Sequence, residues 1–400
     1  MIISRRAAAI VCAAAILAAS TASAQQPTEL NVDAQEPGGQ DEGFVDKLRR
    51  IAGDWHIVER LNGDIDGWYP RLGGMTTGSG FAFGPGYRTH LLDDRIFVDL
   101  SAAFSHKAYK AVDVKAEWLQ SRYDRVELWT NFRYQDFPQE DFFGLGGASS
   151  LEARSNYALE TTDVTARGLF HARPWMRVGA ELGYFSPRIG RGTDREFPST
   201  ELLFTDAEAP GLAAQPDFLH TTLFAEVDYR DERGNPRSGG YYRAAYGVWD
   251  DRRLEQFDFR RFDVEAAQFV PLVTRDHVIA SRAGVSFVNN APGERVPFYF
   301  VPYVGGSHTL RSVEEFRFQD ENAFWWNSEY RWAAFEIVDV ALFFDAAKVH
   351  RNWDQIFNAL KTGYGIGFRV NNHKRVFARL DIGAGGSEGR QIFFKLSESF

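Results

Sequence analysis

Charged and apolar side chains alternate along segment after segment of this chain, and that period of two restricts the fold more than any other property. In 261–270 (RFDVEAAQFV), Phe262, Val264 and Ala266 fall on one face, and Arg261, Asp263 and Glu265 on the other. A helix repeating every 3.6 residues would scatter these charges, whereas a strand sends successive side chains to opposite faces. The same division separates Leu223, Ala225, Val227 and Tyr229 from Glu226, Asp228 and Arg230, and Val338, Val340, Leu342 and Phe344 from Asp339 and Asp345. A soluble sandwich also alternates, but its strands are shorter and its polar face meets water. These runs of 10 to 15 residues, in a chain that is 15% aromatic, suit a tilted strand crossing a bilayer.

The N-terminus is compatible with a membrane address outside the cytoplasm. Arg5 and Arg6 precede an apolar run from Ala7 to Ala19, and Ala22-Ser23-Ala24 forms a cleavage signature, so residues 1–24 are expected to be a signal peptide. The paired arginines admit the twin-arginine route, but the alanines that follow favour the ordinary secretory one. Cys12, the single cysteine, lies within this segment, so the remaining chain is expected to hold no disulfide and no thiolate metal site. Loss of Arg5 and Arg6, with no acid removed, takes the formal charge from −9 to −11, which excludes a nucleic-acid partner. Every later apolar run is interrupted by a polar residue well short of the 18 or so that a membrane helix requires. A chain that crosses lipid without such helices must do so as a closed barrel, which satisfies its own backbone hydrogen bonds.

Turn residues divide the chain into fifteen candidate strands, near 80–92, 95–107, 110–120, 125–136, 156–172, 176–187, 217–230, 240–250, 257–272, 277–290, 322–332, 338–349, 362–371, 376–386 and 391–400. Single-chain bacterial barrels have even strand numbers with both ends in the periplasm, so a sixteenth is expected within 55–72. The expectation is therefore an all-β, 16-stranded antiparallel transmembrane barrel over 55–400, with lipid as its surroundings. Connections assigned to the periplasm are short (Leu92 to Asp94, Ala172 to Pro174, Asn371 to Lys374), and those assigned outside include the long 137–155, 188–216 and 291–321. The preceding 25–54 starts polar and then places Phe44, Leu48 and Ile51 at helical spacing, reading as a tether or lumen-facing cap with one short helix, or as a partner-binding helix.

Three motifs add a resemblance. Loop 291–321 contains Gly305, Gly306, Leu310 and Arg311, and resembles the sixth extracellular loop of the BamA/TamA family of outer-membrane barrels (the bacterial surface antigen family), whose motif is G-G-x-x-x-[VL]-R-G-[FY]. Ser312 and Val313 stand where that motif has glycine and an aromatic. The turn DERGNPRSGG is similar to the family's D-x-R-D…P-x-x-G-G periplasmic turn through Asp228, Arg230, Asp231, Pro236, Gly239 and Gly240. Terminal Phe400, sharing a face with Ile392, Phe394 and Leu396, resembles the signal by which the barrel assembly machinery accepts substrates, although Glu398 on that face departs from it.

The resemblance implies roles as well as a fold. In the family the loop arginine folds into the lumen and pairs with acids of the next two strands. Strand parity places Glu329 and Asp345 inward here, so Arg311 is expected to latch the loop to them. Family members that insert or secrete proteins carry POTRA domains before the barrel. Residues 25–54 are too few for one, so cargo is expected to arrive through a separate periplasmic delivery protein.

Catalytic and metal readings are weaker. Asp93-Asp94 and Asp276-His277 echo the acid and Asp-His pairs of barrel proteases, but parity puts both at periplasmic turns, away from the outer rim where those enzymes work. There is no G-x-S-x-G elbow, and Gly78-Ser79-Gly80 reads as a turn leading into a strand. Asn62, Asp64, Asp66 and Gly67 imitate a calcium loop whose twelfth position is Gly73 rather than Glu. The chain is expected to be no enzyme and to need no metal or cofactor. Two functions stay open: movement or insertion of protein or lipid at the bacterial outer membrane, and a passive channel or structural surface protein.

Overall fold

The computed structural model describes residues 65–396 apart from Thr77, 119–124, His373 and Ser387. The signal peptide, the segment 25–54, Asn62, Asp64 and Phe400 lie outside the described residues. In chain order the strands are β1 Gly67–Gly73, β2 Ala82–Leu91, β3 Ile96–Ser105, β4 Lys110–Trp118, β5 Val126–Phe142, β6 Ser155–Arg173, β7 Met176–Arg191, β8 Phe218–Asp228 and β9 Gly239–Asp251. They continue with β10 Phe259–Pro271, β11 His277–Asn290, β12 Tyr303–Val304, β13 Phe318–Gln319, β14 Asn322–Phe335, β15 Val338–His350, β16 Lys361–Asn371, β17 Val376–Ala384 and β18 Arg390–Leu396. All but β12 and β13 form one 16-stranded antiparallel sheet in sequential order, a nearly closed barrel. β12 and β13 pair with each other inside the loop 291–321, a hairpin that alternation does not forecast because each strand is two residues long.

The distribution of side chains is inverted relative to a soluble protein. On β15, Leu342 is 55% and Phe344 41% exposed on the outer face, while Asp339 and Asp345 point inward and are buried. Tyr364 on β16 and Ile392 and Phe394 on β18 are likewise exposed outward, whereas Arg369 and Asp381 are buried within. An apolar exterior around an ionic interior is what lipid on the outside and a polar lumen on the inside require.

Three strands differ from the bounds expected from the sequence. β5 and β7 continue past the expected 136 and 187 to Phe142 and Arg191, and so take the first residues, 137–142 and 188–191, of what reads as loop in 137–155 and 188–216. Their tips carry Gln139, Glu140, Asp141, Arg188 and Arg191, polar residues that end the apolar alternation while the backbone ladder continues, on β5 through a register shift between Phe137 and Glu140. β1 is short, and Pro70 sits opposite Pro85 of β2, which explains why the first strand is faint in the sequence. At the short-turn end, Leu92, Asp93 and Asp94 turn the chain with positive φ, and His277 bonds the Tyr330 hydroxyl at 2.7 Å.

At the long-loop end, aromatic residues cap the lumen. Phe298 packs on Phe142 and Tyr157, and Phe300 on Phe185, Phe218 and Trp249. Arg295 donates to the Asp206 carboxylate at 2.7 Å and to its backbone oxygen at 2.8 Å, tying 291–321 to the loop after β7.

Candidate functional site

From that cap the loop 291–321 descends into the barrel, and its tip is built by two glycines. Gly305 and Gly306 hold φ of +130° and +81°, and a Cβ on Gly305 would lie 2.1 Å from the Glu314 carbonyl oxygen. Thr309 Oγ1 accepts from the Gly305 N–H at 2.8 Å and donates to its carbonyl at 2.9 Å, closing the turn. Leu310 and Val313 then bury against Val304, Phe318, Ala323, Ala347 and Val349, with Trp325 alongside. This apolar plug places the intervening polar residues against the wall.

Arg311 is 1% exposed and faces three carboxylates. Its Nε and Nη2 donate to Asp345 Oδ2 and Oδ1 at 2.8 and 2.6 Å, and its backbone N–H donates to Oδ2 at 3.0 Å. Nη1 donates to Glu329 and lies 3.9 Å from Asp381 Oδ2. The guanidinium also sits 3.6 Å from the centre of the Phe343 ring, a cation–π contact. Burial opposes the charge of Arg311, but Glu329 and Asp345 outweigh it and hold the group more firmly protonated than a free arginine. The bidentate geometry fits a planar fork and would not survive replacement by lysine.

The acids belong to a wider network. Glu329 also accepts from Arg331 at 2.8 Å and Arg369 at 2.9 Å, and Asp381 accepts from Arg369 at 2.8 Å and from Arg379. Arg379 donates in turn to the Ser307 carbonyl at 3.2 Å, and Asn327 donates to the Thr309 carbonyl and to Asp345, both at 2.8 Å. Asp345 is held differently from Glu329: its cation is Arg311, whereas Glu329 has two further arginines. At the tip, burial first and then Arg282, Lys395, Arg379 and Arg311 push the His308 imidazole down to about 3, so it is neutral around pH 7.

The two off-motif residues are accommodated by the wall. β16 presents Gly363, Gly365 and Gly367 inward, and β17 presents Gly383. A Cβ at Gly363 would stand 2.7 Å from Ser312 Oγ, and one at Gly383 would stand 1.9 Å from the Arg311 carbonyl oxygen. In this chain the room for Ser312 and for the Arg311 carbonyl is left by glycines in the strands opposite. Val313 fills its apolar site without an aromatic ring.

Leu310, Arg311, Glu329, Asp345, Gly305 and Gly306 thus converge in the lumen, while the other singled-out residues lie elsewhere. At the short-turn end Asp228 accepts from Arg230 at 2.9 and 3.0 Å, Asp231 Oδ1 accepts from the backbone N–H groups of Glu232, Arg237 and Ser238, and Pro236 and Gly240 are buried. Gly239 turns with φ +91°, where a Cβ would lie 2.2 Å from the Tyr229 carbonyl. Ile392 and Phe394 face outward on β18, and Leu396 is half-buried opposite Ala378. The sequence reading omits Arg369, Arg379 and Asp381. Arg379 and Asp381 alternate with Leu380 and Ile382 just as Glu329 does with its neighbours, so the same period of two, applied to 376–386, exposes them.

A profile of the Omp85 superfamily domain matches residues 123–400. Among solved structures, BamA from Haemophilus ducreyi lacking POTRA domains 1–3 superposes with a TM-score of 0.64 at 15% identity, covering 83% of this chain and 70% of that one. CdiB from Escherichia coli gives 0.54 at 10% identity, with 83% and 62% covered, and CdiB from Acinetobacter baumannii 0.50 at 11%, with 83% and 59% covered. The chain therefore spans about six-tenths of the length of the two CdiB chains. No curated protein matches the sequence. With a profile spanning most of the chain and a BamA-like barrel around a loop-filled lumen, this protein belongs to the Omp85 superfamily and is a β-barrel of the bacterial outer membrane.

Proposed function

We propose that this barrel takes part in moving or inserting protein or lipid at the outer membrane, with the loop 291–321 held in the lumen by an Arg311 latch. The observation that carries the reading is a single buried guanidinium shared by acids of β14, β15 and β17, since those contacts tie the loop to three wall strands at once. A loop fixed in this way occupies the passage that a simple pore keeps open, which leaves the wall as the route for cargo. The ends of the sheet support that route: β1 and β18 have seven residues each, and among the described residues no ladder joins them. Cargo at such a seam would meet lipid directly, without catalysis, after delivery by a periplasmic protein.

Deletion of the gene followed by a survey of outer-membrane protein and lipid composition tests this function. The expected result is loss or mislocalisation of a defined set of components, restored by the wild-type gene. An unchanged membrane, together with a steady large conductance of the purified protein, would favour the passive channel.

A further inference from the structure

The turn between β8 and β9 does not stay beneath its own strands. Gly234 forms a backbone bridge with Arg375 in the β16–β17 turn, and the Val376 N–H donates to the Gly234 carbonyl at 3.1 Å. Arg237 reaches β15, where its Nη2 donates to Asp339 Oδ2 at 2.5 Å with both residues buried. These partners lie four to six strands further round a sixteen-strand wall. The segment therefore spans part of the periplasmic mouth, below Arg311. We propose that residues 231–238 are a strap that closes this mouth and opens when Arg237 leaves Asp339.

Three features suit a strap that is both shaped and releasable. Its conformation is fixed locally, because Asp231 Oδ1 accepts from three backbone N–H groups of the turn at 2.9, 3.0 and 3.1 Å. Its far end is held by few contacts and works against a cost: Asn235 is 1% exposed, yet among the described residues neither of its amide atoms has a hydrogen-bond partner, and neither does Nη1 of Arg237. Its near end borders open space. Arg230 and Arg233 line a cavity of about 400 Å³ with Arg177, Asp228 and Tyr241, so lifting the far end would join that cavity to the region under the latch. The strap also meets the latch electrostatically, since Asp339 acts on Arg331, which shares Glu329 with Arg311.

Cysteine accessibility tests the strap without depending on transport or on the Arg311 reading. In a Cys12→Ser background, Asn235→Cys in the purified barrel is exposed to a membrane-impermeant maleimide, with Asp93→Cys as the exposed reference. The proposal expects slow labelling of Asn235→Cys, at least tenfold faster labelling when Arg237→Ala is added, and a return towards the slow rate in the exchanged pair Arg237→Asp/Asp339→Arg. Should Arg237→Ala not yield a folded, heat-modifiable barrel, Asp339→Asn takes its place under the same criterion. Labelling of Asn235→Cys as fast as Asp93→Cys overturns the closed strap. A rate unmoved by breaking the pair, or left fast by the exchanged pair, overturns Arg237–Asp339 as its fastening.

Discussion

Arg311 and Asp345 meet through three hydrogen bonds, two from the guanidinium and one from the backbone N–H, while Glu329 shares its charge among Arg311, Arg331 and Arg369. The two acids are therefore not equivalent. Among the described residues, Glu329 keeps cations if Arg311 is lost, and Asp345 does not.

Arg311→Ala is expected to destabilise the folded barrel by about 3–5 kcal/mol, the cost of stranding one partner of a buried pair. Much of that cost belongs to Asp345, so Arg311→Ala/Asp345→Asn should be more stable than Arg311→Ala alone, with a coupling of about 1–3 kcal/mol. The temperature at which the compact form is lost on semi-native gels measures both. A double variant no more stable than the single one would contradict the asymmetry.

The seat for the loop is glycine-lined, so filling it should have the effect of loosening the loop. Gly383→Ala puts a methyl 1.9 Å from the Arg311 carbonyl, a backbone atom that no rotamer change can move aside. A cost of about 1–3 kcal/mol follows from overpacking. Gly190→Ala, whose Cβ meets only Ala158 at 3.5 Å, should stay near wild type. Protease sensitivity of the loop in the two variants distinguishes them.

His308 predicts how the seated loop responds to acid. Its imidazole is pushed from the ordinary 6.5 to about 3 by burial and neighbouring cations, so the seated form binds fewer protons than the released one between those values. Stability from this group is present above pH 6.5 and lost as pH falls towards 3, at no more than about 1.4 kcal/mol per pH unit. Loop protection against protease should weaken from pH 7 to pH 4, and His308→Gln should flatten that slope.

The lipid-facing wall makes a prediction of the opposite sign from a soluble surface. Phe344 lies outward near the middle of β15, and Phe344→Arg should cost about 2–4 kcal/mol if that position is near the bilayer centre. Urea-dependent folding into lipid vesicles reads this. A soluble β-sheet would tolerate the change or gain from it.

Much of this architecture is legible from alternation alone. Leu342 and Phe344 set against Asp339 and Asp345 specify which face of β15 meets lipid, and the same test orients Glu329. β1 is faint because Gly67, Pro70 and Gly73 interrupt any pattern of seven residues. The ladder extensions of β5 and β7 escape because polarity marks where the bilayer ends, not where backbone pairing ends. Arg369 and Asp381 are written in the same period-two code and need only a wider search. The Arg237–Asp339 contact is of another kind: 102 residues separate the pair, and nothing local to either residue encodes a turn that reaches across to β15.

The central claim, that Arg311 keeps the loop in the lumen, is tested most directly by planar-bilayer recordings of the wild-type barrel beside Arg311→Ala. Low, fluctuating conductance in the wild type and a larger, longer-lived open level in Arg311→Ala are expected. Steady large pores of equal conductance in both would contradict it.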